Sequence, residues 1–328
     1  MSKFIMLCGL PASGKTTLAK QLAKTENAVV LSSDDLRVEM FGDVSHQEDN
    51  NEIFEEMNER TNELLSKGQN VIYDATNLNR KRRKHLINYV IKANEKIVYY
   101  LNNSLTTILY RNSIRKERIV PNKIIERMYK TLQIPVKNEG WDDVIFTGVE
   151  DDYYLKKYRK QYENLIIEKP DHDRLFIELG VYIRDFDTVY NLPHDSSYHS
   201  FSVSRHIYHV YKYIFENYKE QDKLLMLWAA LFHDLGKAFC KSFVNYKGEE
   251  KRYANFIGHE FVSSQQSAWW LTALGYDDHF VKDVSTLVQF HMIPMKANEK
   301  KLNEVKQLIG ENLFEKLMFL HEADMQAK

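Results

Sequence analysis

The sequence predicts an α/β half, a parallel sheet with flanking helices, followed by an all-α half. Three observations carry this prediction. Short apolar, β-branched runs alternate with helical patterns up to about residue 100. The glycine-containing stretch Gly9-Leu10-Pro11-Ala12-Ser13-Gly14-Lys15-Thr16 lies between a strand-like and a helix-like run. From Tyr198 onward, apolar residues recur at helical spacing.

In order, strands are expected over 3–8, 28–31, 70–73 and 96–101, with helices over 15–24, 48–66 and 80–94 between them. Residues 105–128 read as helical and arginine-rich, interrupted by Pro121. A strand-like piece at 143–146 and a charged helix at 151–165 fall in a segment, 141–193, expected to connect two domains. Helices are then expected over 206–218, 222–233, 263–274, 280–291 and 312–325. The predicted organisation is a domain over 1–140, the connection 141–193, and a second domain over 194–328.

Composition sets outer limits. A chain of 328 residues has room for two ordinary domains. Lys and Arg number 45 against 46 Asp and Glu, so any grip on a polyanion must come from local patches. Cys8 and Cys240 sit in apolar surroundings, which argues for reduced thiols rather than a disulfide framework. No apolar run approaches the ~18 residues of a membrane span, and no signal-peptide pattern is present. A cytoplasmic protein without a membrane partner is expected.

The spacing G-x-x-x-x-G-K-T between strand and helix is that of a phosphate cradle. Its glycines let backbone N–H groups turn toward phosphate oxygens, and the helix start adds a favourable dipole. Gly9, Ser13, Gly14, Lys15, Thr16 and Thr17 are the expected nucleotide-binding residues. Lys15 would reach the β- and γ-phosphates, and the Thr16 hydroxyl would bind Mg²⁺. After the second strand, Ser32-Ser33-Asp34-Asp35-Leu36-Arg37 places an acid and a forked cation at a strand tip. Asp34 can take a proton from an attacking hydroxyl and Arg37 can hold an acceptor phosphate. Alternatively, Ser33 or Asp34 caps a helix. Asp74 is a second strand-tip acid, followed by Ala75-Thr76-Asn77. The run Arg80-Lys81-Arg82-Arg83-Lys84 is either a solvated helix face or a contact for a polyanion. Arg111 and Arg115 share a helix face; they either neutralise a triphosphate or face solvent.

Taken together and in order, these elements resemble the kinase domain of phage polynucleotide 5′-hydroxyl kinase. The resemblance rests on residues 9–17, Asp34 to Arg37, Asp74 to Asn79 with Arg82-Arg83, Arg111-Asn112-Ser113 with Arg115, Val120-Pro121, and Met128-Tyr129-Lys130, and runs to about residue 135. It implies ATP as donor with Mg²⁺, Asp34 as general base, and Arg37, Asp74 and Asn77 with Asp34 on the acceptor side. It also implies Arg111 and Arg115 as lid arginines on the donor phosphates. The D-x-D-x-T phosphatase motif that usually accompanies this family is absent from the sequence.

The second half carries His206, His233-Asp234, His259, His291 and Asp324, each in or at the end of an expected helix. Imidazole and carboxylate together suit divalent metals, and a carboxylate such as Asp234 can bridge two of them. A lone histidine is more often a packed or surface residue, and His46, His85, His172, His279 and His321 are read that way. His194 and His199 are left open. The order His…His-Asp…Asp, with His233-Asp234-Leu235-Gly236-Lys237 and Gly258-His259-Glu260, resembles the HD-domain metal-dependent phosphohydrolases. That implies one or two divalent metals (Mn, Ni, Co, Cu or Zn) on the six residues and Lys237 on a substrate phosphate.

The combination implies healing of nucleic-acid ends. One half would phosphorylate a 5′-OH end of RNA or DNA; the other would remove a 2′,3′-cyclic phosphate or a 2′- or 3′-phosphate. An RNA ligase acting downstream is the implied partner. The alternatives are a nucleoside or small-molecule kinase fused to a nucleotide phosphohydrolase, and an HD half that is only a metal-free scaffold.

Overall fold

The computed structural model describes residues 2–46, 48–116, 118–149, 153–196, 201–245 and 247–327. The chain forms two compact units: residues 1–128 with 135–148, and residues 129–134 with 149–328.

The first unit contains β1 (Lys3–Cys8), α1 (Lys15–Thr25), β2 (Ala28–Ser32), α2 (Ser33–Phe41), α3 (Asn50–Ser66), β3 (Asn70–Asp74), α4 (Arg80–His85), β4 (Glu95–Leu101), α5 (Leu105–Ser113), α6 (Asn122–Tyr129) and β5 (Asp143–Thr147). The sheet is parallel throughout, in the order β2-β3-β1-β4-β5. β1 is central, and Phe4 to Cys8 are all buried, as a strand covered on both faces requires. Ile5, Leu7, Ile72 and Leu101 form a core closed by Ala19 and Leu22 of α1. The expected strands are present. The helix expected over 80–94 is shorter: α4 ends at His85 and one π-helical turn, Leu86–Val90, follows. The strand-like piece placed in the connection is β5, paired in register with β4 from Ile97↔Asp143 to Leu101↔Thr147.

The second unit runs through α7 (Tyr153–Lys156), α8 (Arg159–Ile167), α9 (His172–Gly180), α10 (Arg184–Val189), α11 (Val203–Asn217), α12 (Lys223–Phe232) and α13 (Lys237–Cys240). It continues with the hairpin β6 (Ser242–Val244) and β7 (Glu250–Asn255), α14 (His259–Ala273), α15 (Asp278–Phe290), α16 (Glu299–Ile309) and α17 (Glu311–Gln326). Residues 151–152, within the charged helix expected at 151–165, lie outside the described residues. α12 is its axis. Leu225 to Phe232 are all buried, the pattern of a helix surrounded on every side, and α11, α14, α15, α17 and α8 pack against it. Residues 129–134 are sewn onto this unit: Gln289 exchanges two hydrogen bonds with the Ile134 backbone (2.6 and 3.1 Å), and Gln265 donates to the Tyr129 carbonyl (2.8 Å).

Candidate functional sites

In the first unit, β1, β2 and β3 end level, with Leu7 and Ser32 both in register with Asp74. Ligands of parallel α/β sheets bind beyond such strand ends, and here a cavity of about 730 Å³ opens. Gly14 turns the chain into α1 at φ +97, a left-handed conformation natural to glycine. No side chain caps α1, so its first N–H groups remain available for an anion. Lys15 donates to the carbonyls of Gly9 (3.1 Å) and Leu10 (2.8 Å). Burial pushes its ammonium below the ordinary range, opposed first by the charge of Asp74. Gly14, Lys15, Thr16 and Thr17 line the cavity. Gly9 donates its N–H to the Thr76 carbonyl (3.1 Å), and Ser13 is buried in the loop interior.

Asp74 lies beside Thr16, whose hydroxyl donates to its carboxylate at 3.1 Å. Burial pushes the Asp74 carboxyl up. A P-loop hydroxyl with a strand-end aspartate is the pair that holds Mg²⁺ in P-loop enzymes. The structure thus sets the Asp74 carboxylate against the P-loop hydroxyl. Asn77 is not among the residues that line the cavity. Its amide donates to the carbonyls of Leu7 (2.7 Å) and Ala75 (3.3 Å), so it braces the β1–β3 edge rather than lining the cavity.

Asp34, Arg37, Arg111 and Arg115 all line the cavity. Ser32 caps α2, accepting from the N–H groups of Asp34 and Asp35. That leaves the half-exposed Asp34 carboxylate to accept from Arg37 and Arg118, each at 2.9 Å. Arg37 is nearly buried and is aimed by the Ser33 carbonyl (3.1 Å) and Asn50 (2.7 Å). Arg118 and the orienting Asn50 were not singled out from sequence; Arg118 was visible only as one arginine among several. Arg111 donates to Asn103 (3.3 Å). The basic run resolves into two kinds of residue. Lys81, Arg82 and Lys84 are exposed, whereas Arg83 is buried in a bidentate pair with Glu139 (2.7 and 2.9 Å) and Arg80 joins the same carboxylate (3.2 Å).

In the second unit, the axis helix collects the six metal-type residues. His206 comes from α11, His233 and Asp234 from the end of α12, His259 from the start of α14, His291 from the end of α15, and Asp324 from α17. His259 is delivered by Gly258, whose φ is +86 and where a Cβ would lie 2.4 Å from the Lys130 carbonyl. Two sets of donors lie within reach of one ion: His206, His233 and Asp234, and Asp234, His259 and His291. The Asp234 carboxylate divides between them. Oδ2 lies 3.4 Å from His206 and 3.3 Å from His233, and Oδ1 lies 3.2 Å from His259 and 3.8 Å from His291. Asp324 meets His206 Nε2 at 3.0 Å.

The Nδ1 of each histidine faces a backbone carbonyl, which can only accept. The partners are Ala327 for His206 (3.2 Å), Ala230 for His233 (2.7 Å), Phe256 for His259 (2.8 Å) and Val288 for His291 (2.7 Å). This fixes the Nδ1–H tautomer and aims the Nε2 lone pair inward, as metal-binding histidines require. Nε2 atoms then face each other at 3.4 Å (His206, His233) and 3.2 Å (His259, His291). Facing acceptors beside a carboxylate need a shared cation, a proton or a metal ion, so the donor set fits the expected divalent metals. Burial first, and then the charges of His259 and His233, hold His291 down to about 3, the neutral ligand form. Burial opposes ionisation of Asp234, yet Lys237 and His233 hold its carboxyl well below the usual range.

Lys237 Nζ lies 2.6 Å from Asp234 and donates to His194 Nε2 at 3.1 Å. His194, left open from sequence, is thus linked to the centre through Lys237. His199 lies outside the described residues. Both cysteines are buried and free, with burial pushing Cys8 up to about 11 and Cys240 up to about 12. Among the described residues no helix is long and apolar enough to cross a membrane.

Comparison with known proteins agrees with this division. Residues 4–135 match the family model described as AAA domain, and residues 197–324 match that of the HD domain. An L-seryl-tRNA(Sec) kinase of Methanococcus maripaludis is 31% identical over 144 residues, 42% of this chain and 55% of that protein. A shikimate kinase of Caldicellulosiruptor saccharolyticus is 26% identical over 129 residues, 36% of this chain and 75% of that protein. The chain thus spans about half the length of the first of these relatives. Among solved structures, a chain of the Pnkp1/Rnl/Hen1 RNA repair complex is 28% identical, with TM-score 0.35 over 39% of this chain and 42% of that one. The chain carries a P-loop kinase-like AAA domain followed by an HD domain.

Proposed function

We propose that the protein heals nucleic-acid ends, the P-loop domain phosphorylating a 5′-OH with ATP and the HD domain removing a 2′,3′-cyclic phosphate or the monoester left from it. One observation carries the kinase half: Asp34, which lines the same cavity as Lys15, is flanked by two arginines, Arg37 and Arg118. An acid alone suits any hydroxyl. An acid bracketed by guanidinium groups suits a hydroxyl whose own molecule carries a phosphate, as the terminal nucleotide of a strand does. The two curated relatives are kinases, which supports transfer to a hydroxyl without fixing the acceptor.

In this reading Asp34 releases its arginines to the acceptor phosphate and takes the hydroxyl proton. Lys15 leaves the loop carbonyls for the donor phosphates, and Arg111 and Arg115 neutralise charge that builds during transfer. Thr16 and Asp74 would hold Mg²⁺, which supplies charge neutralisation between the phosphates. In the HD domain, His206, His233, His259, His291, Asp234 and Asp324 would hold one or two divalent metals, which supply Lewis-acid polarisation and an activated water. Lys237 turns from Asp234 to the substrate phosphate. The product carries a 5′-phosphate and a free 3′-OH, the ends an RNA ligase joins, and cytoplasmic RNA is the proposed setting.

The test is a short RNA bearing a 5′-OH and a 2′,3′-cyclic phosphate, incubated with ATP, Mg²⁺ and a panel of Mn²⁺, Ni²⁺, Co²⁺, Cu²⁺ and Zn²⁺, both ends being read by mass. Gain of the 5′-phosphate with loss of the cyclic phosphate is expected. An unchanged 5′ end, with phosphorylation of single nucleosides or metabolites instead, would replace the polynucleotide acceptor by a small molecule.

A further inference from the structure

A second cavity, about 540 Å³, lies in the second unit, and His194 is among the residues that line it. Its inner wall is His194, which reaches Asp234 through Lys237 in two steps of 3.1 and 2.6 Å. Its outer wall is the hairpin β6–β7, contributing Phe243, Arg252 and Tyr253. The hairpin is pinned in place. The Asp195 carbonyl accepts from the Ala254 N–H (2.9 Å), and the Asp195 carboxylate pairs with Lys241 at 2.6 Å. Asn255 donates to the carbonyls of Ser242 (2.9 Å) and Val244 (3.0 Å).

Phe243 and Tyr253 are 44% and 45% exposed, although both line a concavity. Exposed rings that line a concavity are able to stack a flat group. The Arg252 guanidinium lies 5.3 Å from the Tyr253 ring and makes no ion pair among the described residues. The acid at this wall, Asp195, is already neutralised by Lys241. The cavity therefore offers aromatic rings and a guanidinium on the hairpin and the buried His194 imidazole opposite, with Lys237 behind that imidazole.

We propose that this cavity seats the base of the nucleotide whose phosphate reaches Lys237 and Asp234, stacked on Phe243 or Tyr253 and held from outside by Arg252. The proposal rests on the HD centre being a phosphoester hydrolase. It adds that the centre recognises a nucleobase joined to the phosphate rather than a phosphate alone. The base belongs either to the end of a strand or to a free nucleotide.

Two measurements test it. The first compares wild type with Tyr253→Ala, Phe243→Ala and Arg252→Ala on three substrates: an RNA ending in a 2′,3′-cyclic phosphate, cytidine 2′,3′-cyclic phosphate, and base-free methyl β-D-ribofuranoside 2,3-cyclic phosphate. KM for the two base-bearing substrates should rise on the order of tenfold, with kcat nearly constant and the base-free ester unaffected. Preference of the wild type for the RNA over the mononucleotide assigns the base to a strand end; the reverse assigns it to a free nucleotide. Unchanged KM, or an equal loss on all three substrates, overturns the proposal. The second measurement needs no hydrolysis. An RNA with a 3′-terminal 5-iodouridine is irradiated on the protein and the cross-linked peptide is sequenced. Cross-links at Phe243 or Tyr253 are expected. Their absence from the hairpin overturns the base-binding site even where the cyclic phosphate is hydrolysed. A hairpin cross-link without hydrolysis would instead refute the catalytic reading and keep the site.

Discussion

The buried amide of Asn112 clasps the backbone of Val120 from both sides, donating to its carbonyl at 2.7 Å and accepting from its N–H at 3.0 Å. Between these residues runs the loop that carries Arg115 and Arg118 into the P-loop cavity. One side chain thus closes a loop holding two of the proposed phosphate contacts. Its loss leaves a buried donor and a buried acceptor to find water, at about 1–3 kcal/mol each. Asn112→Ala should raise KM for ATP by roughly tenfold, since 1.4 kcal/mol corresponds to one decade. Activity of the HD domain should not change. An unaltered KM would show that the arginines are placed by other contacts.

Glu139 is a second buried organiser, fully enclosed with Arg83, Arg80 and Trp141 on its carboxylate. Burial alone would push its carboxyl up, but the charge and hydrogen bonds of Arg83, then Arg80 and Trp141, hold it below 4.5. A depressed folded value means that its stabilisation is present above the unfolded value and lost as pH falls through the folded one. Denaturant melts of wild type should therefore weaken below about pH 4.5. Glu139→Gln, which strands a buried guanidinium, should lose about 3–5 kcal/mol at neutral pH and show a flatter acid limb. An equally steep limb in the variant would place the acid sensitivity elsewhere.

This pair also marks where sequence stops informing. The P-loop, the strand-tip acids and the histidines were legible because each is tied to a local pattern, a turn or a helix end. Arg83 was not, because a run of five basic residues looks the same whether its cations face solvent or a glutamate 56 positions later. β5 was placed in the connection because a five-residue edge strand carries little pattern of its own; its pairing with β4 makes it a strand. The aromatic hairpin had no signal for the same reason. Asp74 was legible as an acid at a strand tip, but its role depended on which hydroxyl it faced.

That hydroxyl is Thr16, and the contact separates two roles for Asp74. If the pair holds Mg²⁺, Asp74→Asn should lower kcat by roughly 10²–10³, within the range for loss of electrostatic stabilisation, and raise the Mg²⁺ concentration needed for half-maximal rate. KM for the 5′-OH acceptor should stay the same. A raised acceptor KM at saturating Mg²⁺ would place Asp74 on the acceptor side.

The HD centre makes the sharpest count. Asp234 gives Oδ2 to the His206–His233 pair and Oδ1 to the His259–His291 pair, so each pair should hold its own ion with Asp234 shared. Metal content of protein loaded with Mn²⁺ and freed of excess should then approach two ions per chain. His206→Ala should remove one ion and His291→Ala the other, each leaving its neighbour in place. Asp234→Asn should remove both or weaken both, because the amide keeps one oxygen but loses the charge that two cations share. Single histidine variants should still fold, since the helices pack around the wholly buried α12 rather than around the metals. One ion in wild type, abolished equally by His206→Ala and His291→Ala, would mean a single metal moving between the pairs. That outcome would rule out the two-ion arrangement while leaving a one-metal hydrolase.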